Sequence, residues 1–424
     1  MKNILIAIRS IFKKGRHNVM KIVSLGIGLA VGLVLIAKVY FEQSYDGFYP
    51  DRDRVYQVWA KYQQNGGELK DYPQTSGGIA PTMQQQIPEI ETVTRYTSFG
   101  DWTFTMTDTK MKYSGRCIIA DSCFFDILPR PMLIGNAKEV LSTPMYVLVS
   151  SRIAKNIGGD VIGKNFTVDS SPGRTMTIGG VFEEVPENSH SRYDVIVSMA
   201  SAGRFMWEGS PTNMLGNDRY ISYVKLHKGV NPLALEEQVH TFVNSYFPPE
   251  EQQKTGFNIG FSFHELDGLH KELPQVKRMT WILSLLAFAL IFTAVMNYIL
   301  IVISSIVNRS KEVAVHKCYG ASENNIHGMM FGEALVHIVL SLILALLLIL
   351  AFRGTVEELL ATSLDSLLLS NGSLVLLGIC ILVFFVSGFM PGSLYARIPV
   401  ASAFRNYREN KRIWKKALLL VQFV

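Results

Sequence analysis

One glycine-rich stretch has the spacing of a phosphate-binding loop. The residues GGDVIGKN (158–165) fit the pattern G-x-x-x-x-G-K from Gly158 to Lys164, but Asn165 follows where the loop needs Ser or Thr to hold magnesium. A phosphate loop also follows a buried strand and precedes a helix. Here a helix is predicted over 151–158, the two glycines are its C-terminal stop, and a strand follows. The sequence therefore does not predict nucleotide binding at this stretch.

Two histidine-containing stretches are the other candidates for chemistry. HELDGLH places His264 and His270 six residues apart, whereas two zinc ligands on one helix face need a spacing of four. NSHS (188–191) offers Ser189 and His190, but it lacks the strained elbow that exposes a nucleophile. Adjacent residues on a strand or turn also point apart, which argues against a dyad. The sequence predicts neither a catalytic site nor a metal site.

The composition indicates that part of the chain lies in lipid and part of it in water. Of its 424 residues 48% are hydrophobic and 18% are charged, which is too apolar for a soluble enzyme and too mixed for a protein that lies wholly in the membrane. A bilayer core needs about 20 residues of helix, and four apolar runs are long enough. In chain order the predicted parts are an interfacial amphipathic helix (1–18), transmembrane helix 1 (19–41), an exported domain (42–279), transmembrane helix 2 (280–307), a cytoplasmic elbow (308–330), transmembrane helix 3 (331–352), an outer loop (353–372), transmembrane helix 4 (373–392), a basic cytoplasmic segment (393–416) and the start of a fifth transmembrane helix (417–424).

Basic residues near the span ends set the predicted orientation. Residues 1–21 carry six lysines and arginines and no acid, and residues 397–416 carry seven against one acid. Both segments are therefore predicted to be cytoplasmic, which places 42–279 outside. The glycine loop then faces the side where ATP is scarce. The net charge of +6 matters less than this distribution.

The exported domain is predicted to have an α+β fold. Its strand-like and helical runs show no sustained alternation of single strands and helices, which a nucleotide-binding sheet would need. The fold class is thus a membrane protein: an α-helical transmembrane bundle of 1+3 spans, with a fifth begun, and a large α+β extracytoplasmic domain between spans one and two. Cys117 and Cys123 share the exported side, and a disulfide and two separate buried thiols are both open.

The spans contain few polar residues, so the helices are interpreted as packed struts without an ion pathway. In span one Ser24, Gly28 and Gly32 follow one another at intervals of four, a stripe that lets another helix approach closely. That helix belongs either to the same subunit or to a second one. Asn297 and Glu333 are the polar residues expected at helix contacts of spans two and three.

The link between spans two and three is the most informative stretch. Helix two is predicted to continue past the membrane to about Cys318, and Gly320 can stop it in a left-handed turn. Ser322 can then cap a new short helix, with Glu323 favourable in its first turn. The result is a basic elbow at the inner face, which is either a simple membrane loop or a docking knob.

At this link the sequence resembles the FtsX/MacB-like permeases of ABC transporters, whose layout is one span, a large periplasmic core domain and three more spans. The residues of the elbow that match are Arg309, Lys311, Glu312, Val313, Gly320, Ala321, Ser322 and, after it, Glu333. Other segments similar to the family are 44–58, 80–91, 147–168, 185–198 and 388–406. The sequence departs from the family at His316, Cys318 and Tyr319, where basic and small apolar residues are more usual.

The resemblance implies a multi-pass protein of the inner membrane, with a cytoplasmic N-terminus and a periplasmic core domain. It implies a separately encoded cytoplasmic ABC ATPase dimer, which holds ATP and magnesium while this chain binds no cofactor and is not itself an enzyme. The elbow residues implied to contact that ATPase are Arg309, Lys311, Glu312, Val313, His316, Lys317, Gly320, Ala321 and Ser322.

The resemblance also implies a second permease module as a partner. The fifth predicted span looks like the start of a second copy of the module, so the chain is expected to be the N-terminal half of a long permease or a truncated product. The pair is then a homodimer or the missing half. Membrane lipid and a periplasmic protein are the other expected partners, and nucleic acid is not one.

The function implied is transmission of ATP-driven conformational change to the periplasmic domain, for efflux, lipoprotein release or cell-envelope regulation. The alternative is a membrane-anchored periplasmic binding or sensor protein without an ATPase partner. That alternative expects the exported domain alone to keep full activity.

Overall fold

The computed structural model describes residues 18–169, 171–304, 306–368 and 373–396, with the backbone alone at 172, 233–234, 306–310, 373–374, 387 and 389–396. The chain forms two compact units. The sheet unit is Ser44–Leu273, and the helical unit combines Met1–Gln43 with Pro274–Val424. The predicted interfacial helix and the start of a fifth span lie outside the described residues, apart from Asn18, which begins the first helix.

The elements follow from apolar periodicity along the chain. The helices are α1 (Asn18–Gln43), α2 (Ile79–Gln86), α3 (Phe124–Ile127), α4 (Ala137–Ser142), α5 (Ser151–Ile157), α6 (Glu236–Tyr246), α7 (Pro249–Thr255), α8 (Pro274–Ser304), α9 (Ile306–Cys318), α10 (Glu323–Ala351), α11 (Arg353–Leu360), α12 (Leu364–Leu368) and α13 (Ser373–Ala396). The strands are β1 (Val55–Gln64), β2 (Lys70–Tyr72), β3 (Ile90–Met106), β4 (Lys112–Ala120), β5 (Met132–Ile134), β6 (Tyr146–Ser150), β7 (Asn165–Val168), β8 (Ser171–Phe182), β9 (Val195–Ser198), β10 (Ile221–Leu226) and β11 (Phe257–Glu265).

Within the described ranges, three helices of the helical unit are long and apolar enough to cross a membrane. They are α1, α8 and α10, with mean hydropathies of 2.4, 2.5 and 3.0, and α13 contains a shorter apolar stretch, Val375–Val386. Helices α8 and α10 begin several residues before the predicted apolar runs, because helical hydrogen bonding continues through polar residues that lipid need not cover. The chain is thus a membrane protein with a domain inserted after its first span.

Small residues let α1 pack closely against its neighbours. A Cβ atom added to Gly28 would lie 2.2 Å from Ala294 Cβ on α8, and one added to Gly32 would lie 2.4 Å from Ile291 Cγ1. On another face, a Cβ atom on Gly26 would lie 2.9 Å from Leu344 Cδ2 on α10. The glycines of the stripe therefore contact a helix of the same chain, which is one of the two alternatives that the sequence left open.

The sheet unit is built on one mixed sheet of eleven strands. Its main order is β11-β1-β10-β3-β4-β9-β6-β8-β5, while β2 pairs with β1, and β7 pairs with both β3 and β8. The pairs β4–β9 and β6–β8 are parallel and the other pairs are antiparallel. Helices α2 and α6 cover part of the sheet with apolar side chains such as Met83 and Phe242, which are buried. This mixed sheet with short helices agrees with the predicted α+β class.

The structure differs from the predicted elements where a strand bends or an element is short. The residue patterns at 92–99 and 102–107 predict two strands. The structure has one strand there, β3, because a bulge between Ser98 and Gly100 bends it without ending it. The short elements α3, α4, α7, β2 and β5 were not predicted, since they are too short to show a period.

Candidate functional site

The elbow between α9 and α10 is formed by a glycine stop. Gly320 has a φ of +84°, the left-handed conformation that glycine adopts without strain. Its N–H donates to Lys317 O at 3.0 Å, and the Ala321 N–H donates to His316 O at 3.0 Å. These two bonds are those of a Schellman motif, which satisfies the last carbonyls of a helix. The predicted stop at Gly320 is confirmed.

A serine cap starts the next helix. Ser322 Oγ accepts a hydrogen bond from the Asn325 N–H at 3.3 Å, and Glu323 lies in the first turn. The expectation of a separate short helix is wrong, because α10 continues from Glu323 to Ala351. No proline or second cap interrupts it, and Ile326 is buried in the same core as the apolar part of the helix.

The elbow has an anchored side and an exposed tip. Val313 and Ala314 of α9 and Met330 of α10 are buried in the core of the helical unit. At the turn, Tyr319 is 90% exposed, and His316 is exposed one turn before it. The elbow therefore presents an aromatic and basic tip on a backbone that packing and caps hold rigid.

The predicted elbow residues share this short stretch but differ in exposure. Those exposed are Lys311, His316, Gly320 and Ser322; those half-buried are Glu312, Lys317 and Ala321; and Val313 is buried. Arg309 lies in α9, and its side chain is outside the described part of the chain. Docking of an ATPase by these residues stays a prediction.

A charged pair joins α1 to α10 within the helical unit. Lys21 is fully buried; its Nζ lies 3.9 Å from Glu333 Oε1 and donates to Asn18 Oδ1 at 3.2 Å. One turn further along α10, His337 Nδ1 lies 3.2 Å from the hydroxyl of Tyr298. Glu333 thus lies at a helix contact. The sequence analysis counted Lys21 only as a topology signal, although its place within an apolar run could have indicated a buried partner.

Three further polar residues lie on the spans α1 and α8. Ser24 Oγ donates to Lys21 O at 3.3 Å, within its own helix. Asn297 is half-buried on α8. Lys38, which the sequence analysis missed, lies 2.7 Å from Glu42 Oε1 and donates to Thr362 Oγ1 at 2.7 Å, with all three residues buried. The spacing of four between the lysine and the glutamate was the available signal.

The glycine loop has the order of elements that argues against phosphate binding. Helix α5 ends at Ile157, Gly158 takes a φ of +75°, and β7 begins at Asn165. The side chain of Lys164 donates to Gly158 O at 3.4 Å. The helix therefore precedes the loop, whereas a phosphate-binding loop precedes its helix and faces the N-terminus of that helix.

The two histidines of HELDGLH have separate aromatic partners. His264 stacks on Trp59 with ring centroids 4.1 Å apart, and burial lowers its pKa. His270 stacks on Tyr45 at 3.5 Å. Among the described residues, no group of three or more His, Cys, Asp or Glu side chains could hold a metal ion.

Ser189 and His190 of NSHS do converge, but on a third residue. The Ser189 hydroxyl donates to Asp46 Oδ1 at 3.1 Å, and His190 Nδ1 lies 2.7 Å from Asp46 Oδ2. His190 Nε2 is 2.5 Å from the hydroxyl of Tyr223. Both ring nitrogens are thus engaged, so the histidine does not activate the serine. No pattern in the sequence indicates Asp46, which lies 144 residues before His190.

The two exported cysteines are both free thiols. Cys117 is buried on β4, and Cys123 is half-buried with its sulfur 3.1 Å from Val93 O. Burial raises the pKa of both thiols. Of the two states left open by the sequence, the structure has the unpaired one.

Comparison with known proteins assigns both units. Residues 20–242 match the family model of the MacB-like periplasmic core domain, and residues 284–400 match that of the FtsX-like permease C-terminal region. No curated protein matches the chain.

Three solved structures are similar to about half of the chain. A domain assigned to a permease protein of Porphyromonas gingivalis is 32% identical, with 51% of this chain and 91% of that one covered and a TM-score of 0.47. The periplasmic region of MacB from Actinobacillus actinomycetemcomitans is 16% identical (49% and 87% covered, TM-score 0.32). The extracellular domain of the noncanonic ABC-type transporter YknZ from Gram-positive bacteria is 10% identical (48% and 98% covered, TM-score 0.34).

Proposed function

This chain belongs to the family of ABC-transporter permeases with a MacB-like periplasmic core domain and an FtsX-like permease domain, and we propose that it transmits ATP-driven movement from a separate ATPase to its periplasmic domain. It is a multi-pass membrane protein. The sheet unit is the periplasmic domain. We place the chain in the inner membrane with its N-terminus in the cytoplasm, because residues 1–21 carry six basic residues and no acid.

The geometry of the elbow is the observation that carries this proposal. Its buried side, with Val313 and Ala314, fixes it to the helical unit, while Tyr319 stands almost free of the chain at 90% exposure. Exposed aromatic side chains on rigid turns are common anchors of protein interfaces. A partner that binds this tip can move α9 and α10 together, since the Schellman turn and the Ser322 cap connect the two helices through a short, hydrogen-bonded turn.

The partner we propose is a cytoplasmic ABC ATPase dimer, which supplies the bound ATP and magnesium. The elbow residues predicted to dock it are those on either side of the turn, from Arg309 to Ser322. A second permease module, either another copy or a second half, completes the assembly. The output is work in the periplasm, such as efflux, lipoprotein release or regulation of the cell envelope.

Replacing Tyr319 with alanine tests the docking. The full chain, tagged and crosslinked in membranes of its own organism, is expected to recover an ATPase. Loss of an exposed aromatic anchor costs about 2 kcal/mol or more of binding free energy, so Tyr319→Ala should reduce the recovery by roughly thirtyfold. Tyr72→Ala, which removes a 43% exposed tyrosine from the sheet unit, is the matched control and should leave the recovery unchanged.

Two results would contradict the proposal. Equal recovery of the ATPase with Tyr319→Ala and the parent chain would exclude the elbow tip as the docking site. If no ATPase is recovered while residues 42–279 alone keep full activity, the chain is a membrane-anchored binding or sensor protein instead.

A further inference from the structure

The chain that leaves α1 turns sharply at a buried charge. We call residues 44–49 the neck segment; they follow Gln43, the last residue of α1. Asp46 in this segment has a φ of +56° and is fully buried. Aspartate is one of the few residues besides glycine that tolerate this left-handed conformation. Since a buried carboxylate is costly unless several donors satisfy it, its partners reveal what holds the neck segment.

In the part of the chain that the structure describes, the donors to the Asp46 carboxylate come from one loop. Oδ1 accepts hydrogen bonds from Ser189 Oγ at 3.1 Å and from the His190 N–H at 3.2 Å. Oδ2 faces His190 Nδ1 at 2.7 Å. In the backbone, the Asp46 N–H donates to Asn188 O at 2.9 Å. Ser189 and His190 therefore hold the carboxylate, and Asn188, the residue before them, holds the backbone N–H of Asp46.

His190 extends this connection to the interior of the sheet. Its Nε2 lies 2.5 Å from the hydroxyl of Tyr223, a fully buried residue of β10. Burial holds the pKa of Tyr223 well above its usual value, so the phenol keeps its proton. With Nδ1 facing Asp46 and Nε2 facing Tyr223, the imidazole ring connects the neck segment to β10.

The strand that receives this connection lies within the sheet. β10 pairs with β1 on one side and with β3 on the other. A force on Asp46 therefore reaches three adjacent strands through one histidine. The side chain of Asn188 adds to the attachment, since its Nδ2 donates to Ser44 O at 2.9 Å.

The geometry points to a clasp: we propose that Asp46, His190 and Tyr223 fasten the neck segment so that a movement of α1 is passed to the sheet of the periplasmic domain. Asp46 is the positioning residue of this clasp. The proposal rests on the proposed function insofar as an ATPase moves α1, whereas the strength of the clasp belongs to this chain alone.

Chain length explains why a clasp is needed at this point. Asp46 is three residues after the end of α1, a reach of at most about 10 Å. Without the clasp, the next residue fixed in the sheet unit is Tyr49, which is buried in its core three residues further on, or about 10 Å of extended chain. Helix shifts in coupled transitions are about 1–5 Å, so the slack would absorb them.

Pulling the full chain from its N-terminus in a lipid bilayer, by single-molecule force spectroscopy, tests the clasp directly. After α1 is extracted, the parent chain is expected to resist at a contour length that ends at Asp46. In Asp46→Asn and in Tyr223→Phe this force peak should move by about 10 Å of contour length, to the buried Tyr49. Asparagine tolerates the left-handed backbone, and phenylalanine keeps the buried ring, so neither change should unfold the sheet.

A second buried tyrosine provides the matched control. The Tyr96 hydroxyl lies 2.6 Å from Ser191 Oγ, next to the same loop, and none of the hydrogen bonds in the described part of the chain joins it to Asp46 or His190. Tyr96→Phe removes the same atom from the same core and should leave the force peak at Asp46. A peak that stays at Asp46 in both Asp46→Asn and Tyr223→Phe, or one that moves equally in Tyr96→Phe, would overturn the clasp.

The coupling itself is tested with the ATPase that copurifies with the elbow. In the parent complex, ATP is expected to change the hydrogen exchange of β10 amides, and Asp46→Asn should abolish that change while the ATPase still copurifies. An unchanged response in Asp46→Asn would overturn the coupling role. If no ATPase binds, the proposed function fails, and the pulling experiment still decides whether the clasp exists.

Discussion

Asp46 in the sheet unit and Lys21 in the helical unit are both fully buried charges, and they are held differently. Asp46 accepts hydrogen bonds from Ser189 and His190 at 2.7–3.2 Å, whereas Lys21 lies 3.9 Å from its carboxylate partner Glu333. A domain in water can leave a carboxylate exposed at no cost, so burial there requires close, directional donors. In a membrane helix bundle, a charged side chain that leaves its partner can face hydrocarbon, which is more costly than water. A charged pair is therefore retained there even at a longer distance.

The largest effect in this comparison is expected from removing the Asp46 carboxylate. Asp46→Ala leaves the His190 and Ser189 donors without their acceptor, and it places alanine at a positive φ. Breaking a buried pair on one side typically costs about 3–5 kcal/mol of unfolding free energy. Urea unfolding of the full chain in nanodiscs, followed by near-UV circular dichroism, measures this loss.

An exposed aspartate of the same unit is the control for Asp46→Ala. Asp101→Ala should change the unfolding free energy by less than about 0.5 kcal/mol, since surface substitutions rarely do more. If both alanine variants lose the same unfolding free energy, the hydrogen bonds of Asp46 contribute no more to stability than an exposed carboxylate does.

A double-substitution cycle measures the interaction between Lys21 and Glu333, which is the looser of the two buried pairs. Glu333→Leu alone removes the carboxylate nearest to Lys21, and we expect a loss of about 2–3 kcal/mol, below the usual range because the pair is 3.9 Å apart. Adding Lys21→Met should restore most of the stability, since two apolar side chains suit the bundle. Thermal unfolding in nanodiscs measures each variant. Costs that simply add in the double variant would show that the two charges do not interact.

Features that depend on neighbouring residues could be predicted from the sequence, whereas contacts between residues far apart in the chain could not. The stop at Gly320 was predictable because a glycine after a helical run is itself the cause of the turn. The mixed α+β unit was predictable from alternating strand patterns. The clasp was not, because Asp46 and His190 meet only in the folded chain, and the rule that neighbours point apart does not consider a shared distant acceptor.

The membrane spans show the same limit. Hydropathy located the apolar runs, because lipid selects composition along 20 or so consecutive residues. It could not show that α10 begins at Glu323, since the polar turns before the apolar run are held by the Ser322 cap and by packing of Ile326. Nor could it show that Lys21 turns inward to Glu333, which depends on how α1 and α10 pack.

The smallest effect on stability is expected from a partly exposed cluster of ion pairs, which lies just after the neck segment in the sequence. Arg54 Nη2 lies 3.1 Å from Asp51 Oδ1, and Arg54 Nη1 lies 2.7 Å from Glu91 Oε2; both carboxylates are about a third exposed. The bond from Lys225, and then Arg54, lowers the pKa of Asp51 below its usual 3.8, and Arg54 lowers that of Glu91 below 4.5. After allowance for solvent screening, Arg54→Met should cost at most about 1 kcal/mol at pH 7.

The sign of these pKa shifts fixes where that stabilisation is lost. Because both folded-state pKa values are lowered, the stabilisation is complete above the unfolded values of 3.8 and 4.5 and disappears as the pH falls through the folded values. The difference in unfolding free energy between the parent chain and Arg54→Met should therefore become smaller in acid. It should also become smaller in 1 M salt, because both carboxylates are about a third exposed. Urea midpoints measured from pH 7 to pH 2.5 test this. A gap that stays constant over that range would mean that Arg54 acts through its bond to Leu226 O and not through its charge.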